Sequence, residues 1–343
     1  MASPTALAVL VFAVLIVPFP PITSANHNHG FRPPPRRYLP QTTIMASAPP
    51  SLACANNSAT TPPRNYSAAV HGDTHRLAFL ARAPTTNATT TLALQALVEN
   101  GAGAYHMSLS IGTPALTFPA ILDTGSDLLG IGRFSYCLRS DSEAGASPIL
   151  FGSLASVTGD NVQSTPFVRN PAVPVRRAPY YYVNITGVTV GATGLPVAPS
   201  TFGFTRAGAG GVIVDSGTTF TYFAEAGYAM LRQAFLSQTA GRLTRVSGAP
   251  FDFDLCFESG GDLDVDAVPV PGLVLRFAGG AEYTVPRRSY FDAVDEQGRV
   301  ACLLVLPTRG VSVIGNVMQM DLHVLYDLDG GVLSFTPADC ASV

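Results

Sequence analysis

From Tyr105 onward apolar and polar positions alternate. Met107, Leu109 and Ile111 fall on one side of an extended chain, Ser108 and Ser110 on the other, and Gly112-Thr113-Pro114 then turns it. Other short apolar or alternating runs predict strands at 121–123, 180–186, 188–190, 212–215, 272–277, 302–306, 312–315, 323–327 and 332–335. One stretch has helical spacing instead: it starts near Ala224-Glu225, sets Tyr228, Leu231 and Phe235 on one face, carries an acid in its first turn and ends by Gly241. Residues 26–100 show little of either period before Leu92, and their Pro33-Pro34-Pro35-Arg36-Arg37 run and threonine-rich patches read as a largely disordered pro-segment or linker. The pattern predicts a mainly β chain whose folded part begins at about residue 101.

Two of the apolar runs end in nearly the same phrase. Phe118-Pro119-Ala120-Ile121-Leu122 leads into Asp123-Thr124-Gly125-Ser126, and Gly211-Val212-Ile213-Val214 leads into Asp215-Ser216-Gly217-Thr218. Each aspartate is therefore expected where a buried strand breaks into a tight turn. A lone copy reads as a turn aspartate capping local N–H groups; the pair in equivalent settings carries more information than either copy.

Composition is consistent with the strand reading. The chain has 343 residues, 47% of them hydrophobic and 13% charged, enough for a packed core and too apolar for a disordered protein. Its 32 glycines and 28 prolines favour strands and turns over helices.

Residues 1–25 have the form of a secretory signal: an apolar core over 6–17, a proline-broken segment through Pro21, and Thr23-Ser24-Ala25 as a small-residue cleavage site. The apolar core is too short to span a bilayer. The expected product is exported and not membrane-bound once the signal is removed. In that compartment Cys137, Cys256, Cys302 and Cys340 form an even set, which predicts two disulfides with the connectivity open; Cys54 lies far upstream. No two of these cysteines are close in sequence and no histidine cluster accompanies them, so neither a metal nor a cofactor is expected. Asn56, Asn65, Asn87 and Asn184 begin glycosylation sequons.

Charge divides the chain. Six arginines against Asp73 and Glu99 leave residues 26–100 at +4, and residues 101–343 carry −7. Opposite charges would hold the two parts together, and four of the six histidines lie in the upstream part, so acidification makes it more cationic while neutralising carboxylates on its partner. A leader with no inhibitory role is the alternative. Arg287-Arg288 is too short a basic run to argue for nucleic acid as a partner of an acidic chain.

Two aspartates held within hydrogen-bonding distance share one proton over a wide pH range. They can hold a water between them: the ionised member takes its proton while the protonated member polarises a scissile carbonyl, which hydrolyses an amide without metal or covalent intermediate. Gly125 and Gly217 would let the backbone turn tightly, and the hydroxyls of Thr124, Ser126, Ser216 and Thr218 can satisfy buried polar groups there.

At these residues the chain resembles the pepsin-type aspartic proteases, in particular the plant nepenthesin-like branch, from about Tyr105 to its C-terminus. The resemblance is carried by Ser110-Ile111-Gly112-Thr113-Pro114, the two aspartate phrases, Phe134-Ser135-Tyr136-Cys137-Leu138, Tyr181-Tyr182-Val183, Val313-Ile314-Gly315-Asn316 and Leu325-Tyr326-Asp327. It implies a bilobal, mainly β fold with one aspartate per lobe, divided here into an N-terminal lobe over 101–175 and a C-terminal lobe over 176–343. It also implies Asp123 and Asp215 as the catalytic pair, an extended polypeptide as substrate, a monomer, and pairing of Cys256 with Cys302 and Cys137 with Cys340.

The two halves are unequal. In this fold a later strand ending in two apolar residues and glycine braces each aspartate turn. Val313-Ile314-Gly315 comes 98 residues after Asp215, whereas Leu128-Leu129-Gly130 begins only five residues after Asp123. The intervening sheet and the flap tyrosine of the resemblance have no place in so short a span, and Tyr136 matches a later strand instead. An incomplete N-terminal lobe is therefore expected. Three readings stay open: a segment lost by splicing or a faulty gene model, a non-catalytic binding or inhibitor protein similar to the xylanase-inhibitor-like relatives, and a working protease with a rebuilt small lobe. Among single residues, Asp127 is expected on a turn or surface, Tyr222 and Phe223 in the core or lining a specificity pocket, and His106 and His323 in structural roles.

Overall fold

The computed structural model describes Tyr66, Ala69, Val70, Asp73 and Thr74 and then residues 94–101, 103–111, 116–124, 132–140, 145–173, 180–259 and 268–343. The expected signal, the sequons at Asn56, Asn65 and Asn87, and the turn residues Gly125, Ser126 and Asp127 lie outside the described residues.

The largest sheet joins the first half of the chain to its end. Its eight strands run in the order Leu116–Ile121, Ala104–Ile111, Leu94–Gly101, Ser147–Phe151, Arg133–Cys137, Leu322–Asp327, Val332–Pro337 and Gln163–Pro166, every neighbouring pair antiparallel. The seam is the pairing of Arg133–Cys137 with Leu322–Asp327, which sets Ser135 opposite Leu325 and Cys137 opposite His323. Aromatic side chains fill the layer beneath it: Phe134, Tyr136 and Tyr326 are wholly buried, and the Phe134 and Tyr326 rings stack with centroids 4.5 Å apart.

The sheet enters upstream of Tyr105. Leu94–Gly101 is a strand that pairs on one side with Ala104–Ile111 and on the other with Ser147–Phe151, so a division at residue 101 cuts through a hairpin. Its alternation is real but brief: Val98 is buried while Leu97 points outward, 57% exposed. The strand expected at 121–123 lies instead at Leu116–Ile121, and Asp123 follows its end. Pro119 conceals that strand in the sequence; it is tolerated because Leu116–Ile121 is the edge of the sheet, where a missing N–H breaks no central ladder.

The second half supplies three smaller sheets. A five-stranded sheet has the order Val305–Thr308, Thr221–Ala224, Ser312–Ile314, Val212–Val214 and Tyr182–Val183, with Val212–Val214 parallel to Ser312–Ile314. The other two are four-stranded, one ordered Arg245–Val246, Cys256–Glu258, Val300–Leu303 and Phe291–Ala293, the other Glu282–Val285, Leu273–Phe277, Ile185–Val190 and Thr193–Gly194. The helix occupies Glu225–Thr239 and buries Tyr228, Leu231 and Phe235, the face that its spacing predicts.

Two disulfides close this framework, Cys137 to Cys340 and Cys256 to Cys302, which is the pairing that the resemblance implies. The first ties the seam of the large sheet to the C-terminus. The second cross-links opposed residues of neighbouring antiparallel strands.

Candidate active site

Each aspartate turn begins where a buried strand ends, for the reason the apolar runs suggest. Val212, Ile213 and Val214 are buried on both faces, so the polar residues that follow must leave the sheet, and Asp215 does so with its N–H donated to the Ile314 carbonyl at 3.0 Å. Leu122 is likewise buried ahead of Asp123.

The two turns grip each other. The Ser216 N–H donates to Thr124 Oγ1 at 2.9 Å, and the Thr124 N–H donates to Ser216 Oγ at 3.2 Å. Each hydroxyl then passes its own proton to the backbone of the opposite strand, Thr124 to the Val214 carbonyl at 3.1 Å and Ser216 to the Leu122 carbonyl at 2.9 Å. Four buried polar groups, two from each turn, are satisfied in pairs across the interface, and removing either hydroxyl would strand its partners.

This grip brings the acids to one residue. A Cβ on Gly217 would lie 2.7 Å from Asp123 Oδ1, so only glycine allows the Asp123 carboxylate to approach the second turn. The Gly217 N–H in turn donates to Asp215 Oδ1 at 2.8 Å, and the Thr218 hydroxyl to Asp215 Oδ2 at 2.6 Å. Asp215 itself is completely buried, whereas Asp123 is partly exposed. The geometry sets one carboxylate inside a hydrogen-bonded turn and the other against its outer side.

A second tier supports the turns. The Tyr326 hydroxyl donates to the Val214 carbonyl at 2.8 Å, and the Tyr136 hydroxyl to Gln319 Oε1 at 2.6 Å, while Gln319 Nε2 reaches the Ile314 carbonyl at 2.8 Å. Burial pushes both phenols well above their ordinary range, so they act as neutral donors. Tyr136 is therefore an interior strut and closes over nothing. Asn316 Nδ2 bonds the Ser216 carbonyl at 3.1 Å and the Gly103 carbonyl at 2.9 Å, linking the Asp215 turn to the hairpin ahead of Asp123. The supporting roles of Tyr326, Asn316 and Gln319 go unread in the sequence, although Tyr326 and Asn316 sit inside phrases that carry the resemblance.

Other expected residues find plain positions. Phe223 is core, and His106 Nε2 donates to the Gly101 carbonyl at 3.0 Å. Tyr222 is also buried, but its hydroxyl points to Asp73, a residue of the upstream segment, at 3.2 Å. Asn184 is partly exposed. Among the described residues no group of three or more His, Cys, Asp or Glu side chains could hold a metal ion.

Comparison with known proteins fits this geometry. The family model described as xylanase inhibitor C-terminal matches residues 180–337. Aspartic proteinase nepenthesin-1 of Nepenthes gracilis is 34% identical over 244 residues, which are 71% of this chain and 51% of the relative; nepenthesin-2 of the same plant is 32% identical over 245 residues, again 71% and 51%. The chain thus spans about half the length of these curated relatives. The crystal structure of edgp covers 78% of this chain and 81% of its own with a TM-score of 0.51 at 19% identity, a likeness of fold alone. The fold and the paired turns define a pepsin-like protein, mainly β and bilobal. The chain is similar to the plant branch of that family, with relatives named as aspartic proteinases.

Proposed function

We propose that the chain is an aspartic-type endopeptidase in which Asp123 and Asp215 activate a water for attack on a peptide carbonyl. The observation that carries this reading is the reciprocal grip of Thr124 and Ser216, which holds both carboxylates against Gly217 even though the first lobe is short. Asp215 is buried and hydrogen-bonded while Asp123 is more exposed, which leaves the outer carboxylate open to a substrate and a water. Relatives named as aspartic proteinases support the same chemistry, and with it a polypeptide substrate.

The wider assignment follows from the leader and the cysteines: a secreted or vacuolar, disulfide-bonded, glycosylated monomer, made with a signal over 1–25 and a pro-segment over 26–100. No described helix is long and apolar enough to cross a membrane. On this reading the N-terminal lobe is incomplete, because the apolar-apolar-glycine phrase Leu128-Leu129-Gly130 follows Asp123 by only five residues. Such a lobe gives the second reading its support: no tyrosine is placed as a flap among the described residues, Tyr136 being buried, and the matched family model bears an inhibitor's name. On that reading the cleft binds a protein without cutting it.

The deciding experiment expresses residues 26–343 and incubates the folded product with denatured protein at about pH 3–5, where a carboxylate pair holds one proton. Cleavage blocked by a transition-state-mimicking aspartic-protease inhibitor is the expected result. Folded protein with no inhibitor-sensitive cleavage overturns the enzyme reading and leaves the binding one.

A further inference from the structure

Upstream of the sheets, the described residues Tyr66, Ala69, Val70, Asp73 and Thr74 are helical and seated on the second half of the chain. Tyr66, Ala69, Val70 and Asp73 have the spacing of a single helix face, and it is this face that packs inward while Thr74 is exposed. Patterning alone places the segment in a disordered leader, because a stripe of one aromatic, two small or medium apolar residues and an acid does not read as amphipathic.

Two anchors hold it. Tyr66 is 8% exposed and lies against Phe220 and Phe253, with ring centroids 5.8 Å and 6.2 Å away, and its hydroxyl points to Asp292 at 3.4 Å. Asp73 is 3% exposed and accepts three hydrogen bonds: from the Thr219 N–H at 2.8 Å, the Phe220 N–H at 2.9 Å and the Tyr222 hydroxyl at 3.2 Å. Two successive backbone N–H groups aimed at one carboxyl group, with a phenol closing the third side, form a built donor site for an acid side chain. Gly103 fits between the partners: at φ +85°, a Cβ there would meet the Thr219 hydroxyl at 2.8 Å and the Ala69 methyl at 3.2 Å. The whole contact begins one residue beyond Thr218, which bonds Asp215.

We propose that the surface formed by Thr219, Phe220, Tyr222 and Phe253 is a recognition site for a short peptide helix bearing an aromatic residue seven positions before a single buried carboxyl group, and that the chain fills it in cis with Tyr66 and Asp73. Binding of this kind is a helix-in-groove contact whose specificity lies in one buried carboxylate. It differs from attraction between a cationic leader and an acidic body, since the anchoring group is a buried acid held by neutral donors. The site lies outside the Asp123–Asp215 pair, so its fate does not depend on whether the protein hydrolyses peptides.

The test uses the full chain carrying Tyr66→Ala and Asp73→Ala, which vacates the site, and a fluorescent peptide of residues 62–78 followed by anisotropy. The altered chain should bind the peptide at least about tenfold more tightly than the unaltered chain does, whose own segment competes. A peptide with Asp73→Ala should lose about tenfold or more, the worth of leaving its buried donors unsatisfied. Equal binding to both chains, equal binding of both peptides, or no binding overturns the proposal. If the doubly altered chain fails to fold, hydrogen exchange in the unaltered protein decides: slow exchange of the Thr219 and Phe220 amides is expected, and fast exchange of both overturns it.

Discussion

The Thr124 hydroxyl and the Ser216 N–H, 92 residues apart in sequence, meet at 2.9 Å and bind the two aspartate turns into one unit. All four bonds in this grip touch buried backbone groups, and the Thr124 oxygen is also 3.4 Å from the Tyr326 hydroxyl. The site's geometry therefore rests on side chains one position away from the acids.

Replacing Thr124 by Val keeps its shape and deletes its oxygen. The Ser216 N–H loses its acceptor and the Val214 carbonyl one of its donors, at about 1–3 kcal/mol for a buried group left unsatisfied. A fall in melting temperature of about 3–10 °C is expected by scanning calorimetry. Thr124→Ser, which retains the hydroxyl, should recover most of it; equal losses for Val and Ser would show that the methyl group and not the oxygen matters.

Replacing Asp215 by Asn preserves an acceptor for the Gly217 N–H and removes the ionisable group. If the pair activates water, peptide cleavage should drop by about a hundredfold or more, the usual worth of a positioned acid–base group, with little change in unfolding by circular dichroism. Retained cleavage would remove Asp215 from the chemistry.

Docking of the 66–74 segment should strengthen as the solution is acidified. Burial raises the Asp73 carboxyl from 3.8 to about 7, against the lowering effect of the Phe220 and Thr219 N–H groups and the Thr219 and Tyr222 hydroxyls. Docked Asp73 thus keeps its proton to a higher pH than the free segment does. Its contribution is fully present below about 3.8 and is lost as pH rises through about 7. Facing groups include Tyr222, whose own phenol burial holds un-ionised, and Asp292 beside Tyr66, with Arg288 4.0 Å from it. The 62–78 peptide should bind the vacated chain more tightly at pH 5 than at pH 8, with little weakening in 0.5 M salt (about 4–5 Å Debye length). Release by acid, as simple attraction between a +4 leader and a −7 body would give, is the contrary outcome.

The two disulfides should differ in worth. Cys137 and Cys340 enclose a separation of 203 residues and Cys256 and Cys302 one of 46, so the chain-entropy model gives the first about 1 kcal/mol more. Paired Cys→Ser variants compared by urea unfolding measure the difference. A larger loss from the shorter bridge would locate the effect in native packing of its sheet.

The second lobe's framework was legible in the residues. Val212–Val214 and Ser312–Ile314 are buried on both faces and are nearly continuous apolar runs, and the Glu225–Thr239 helix has the period that a one-sided burial imposes. Less legible were Leu94–Gly101 and Leu116–Ile121, one short and partly outward-facing, the other interrupted by Pro119. The helical face at Tyr66 and Asp73 was not legible, since an acid at a core-facing position contradicts the pattern that marks a helix unless its donors are known.

By itself the sequence determined the local elements and the identity of the paired turns, because burial periodicity and the demands of a tight turn are written in neighbouring residues. Tertiary structure decided what those elements meet. It joined Arg133–Cys137 to Leu322–Asp327, closed the Thr124–Ser216 grip across 92 residues and set Asp73 against the Thr219 and Phe220 amides. Such contacts depend on hydrogen-bond donors and acceptors that backbone groups of any residue can supply, and only the folded chain brings them together.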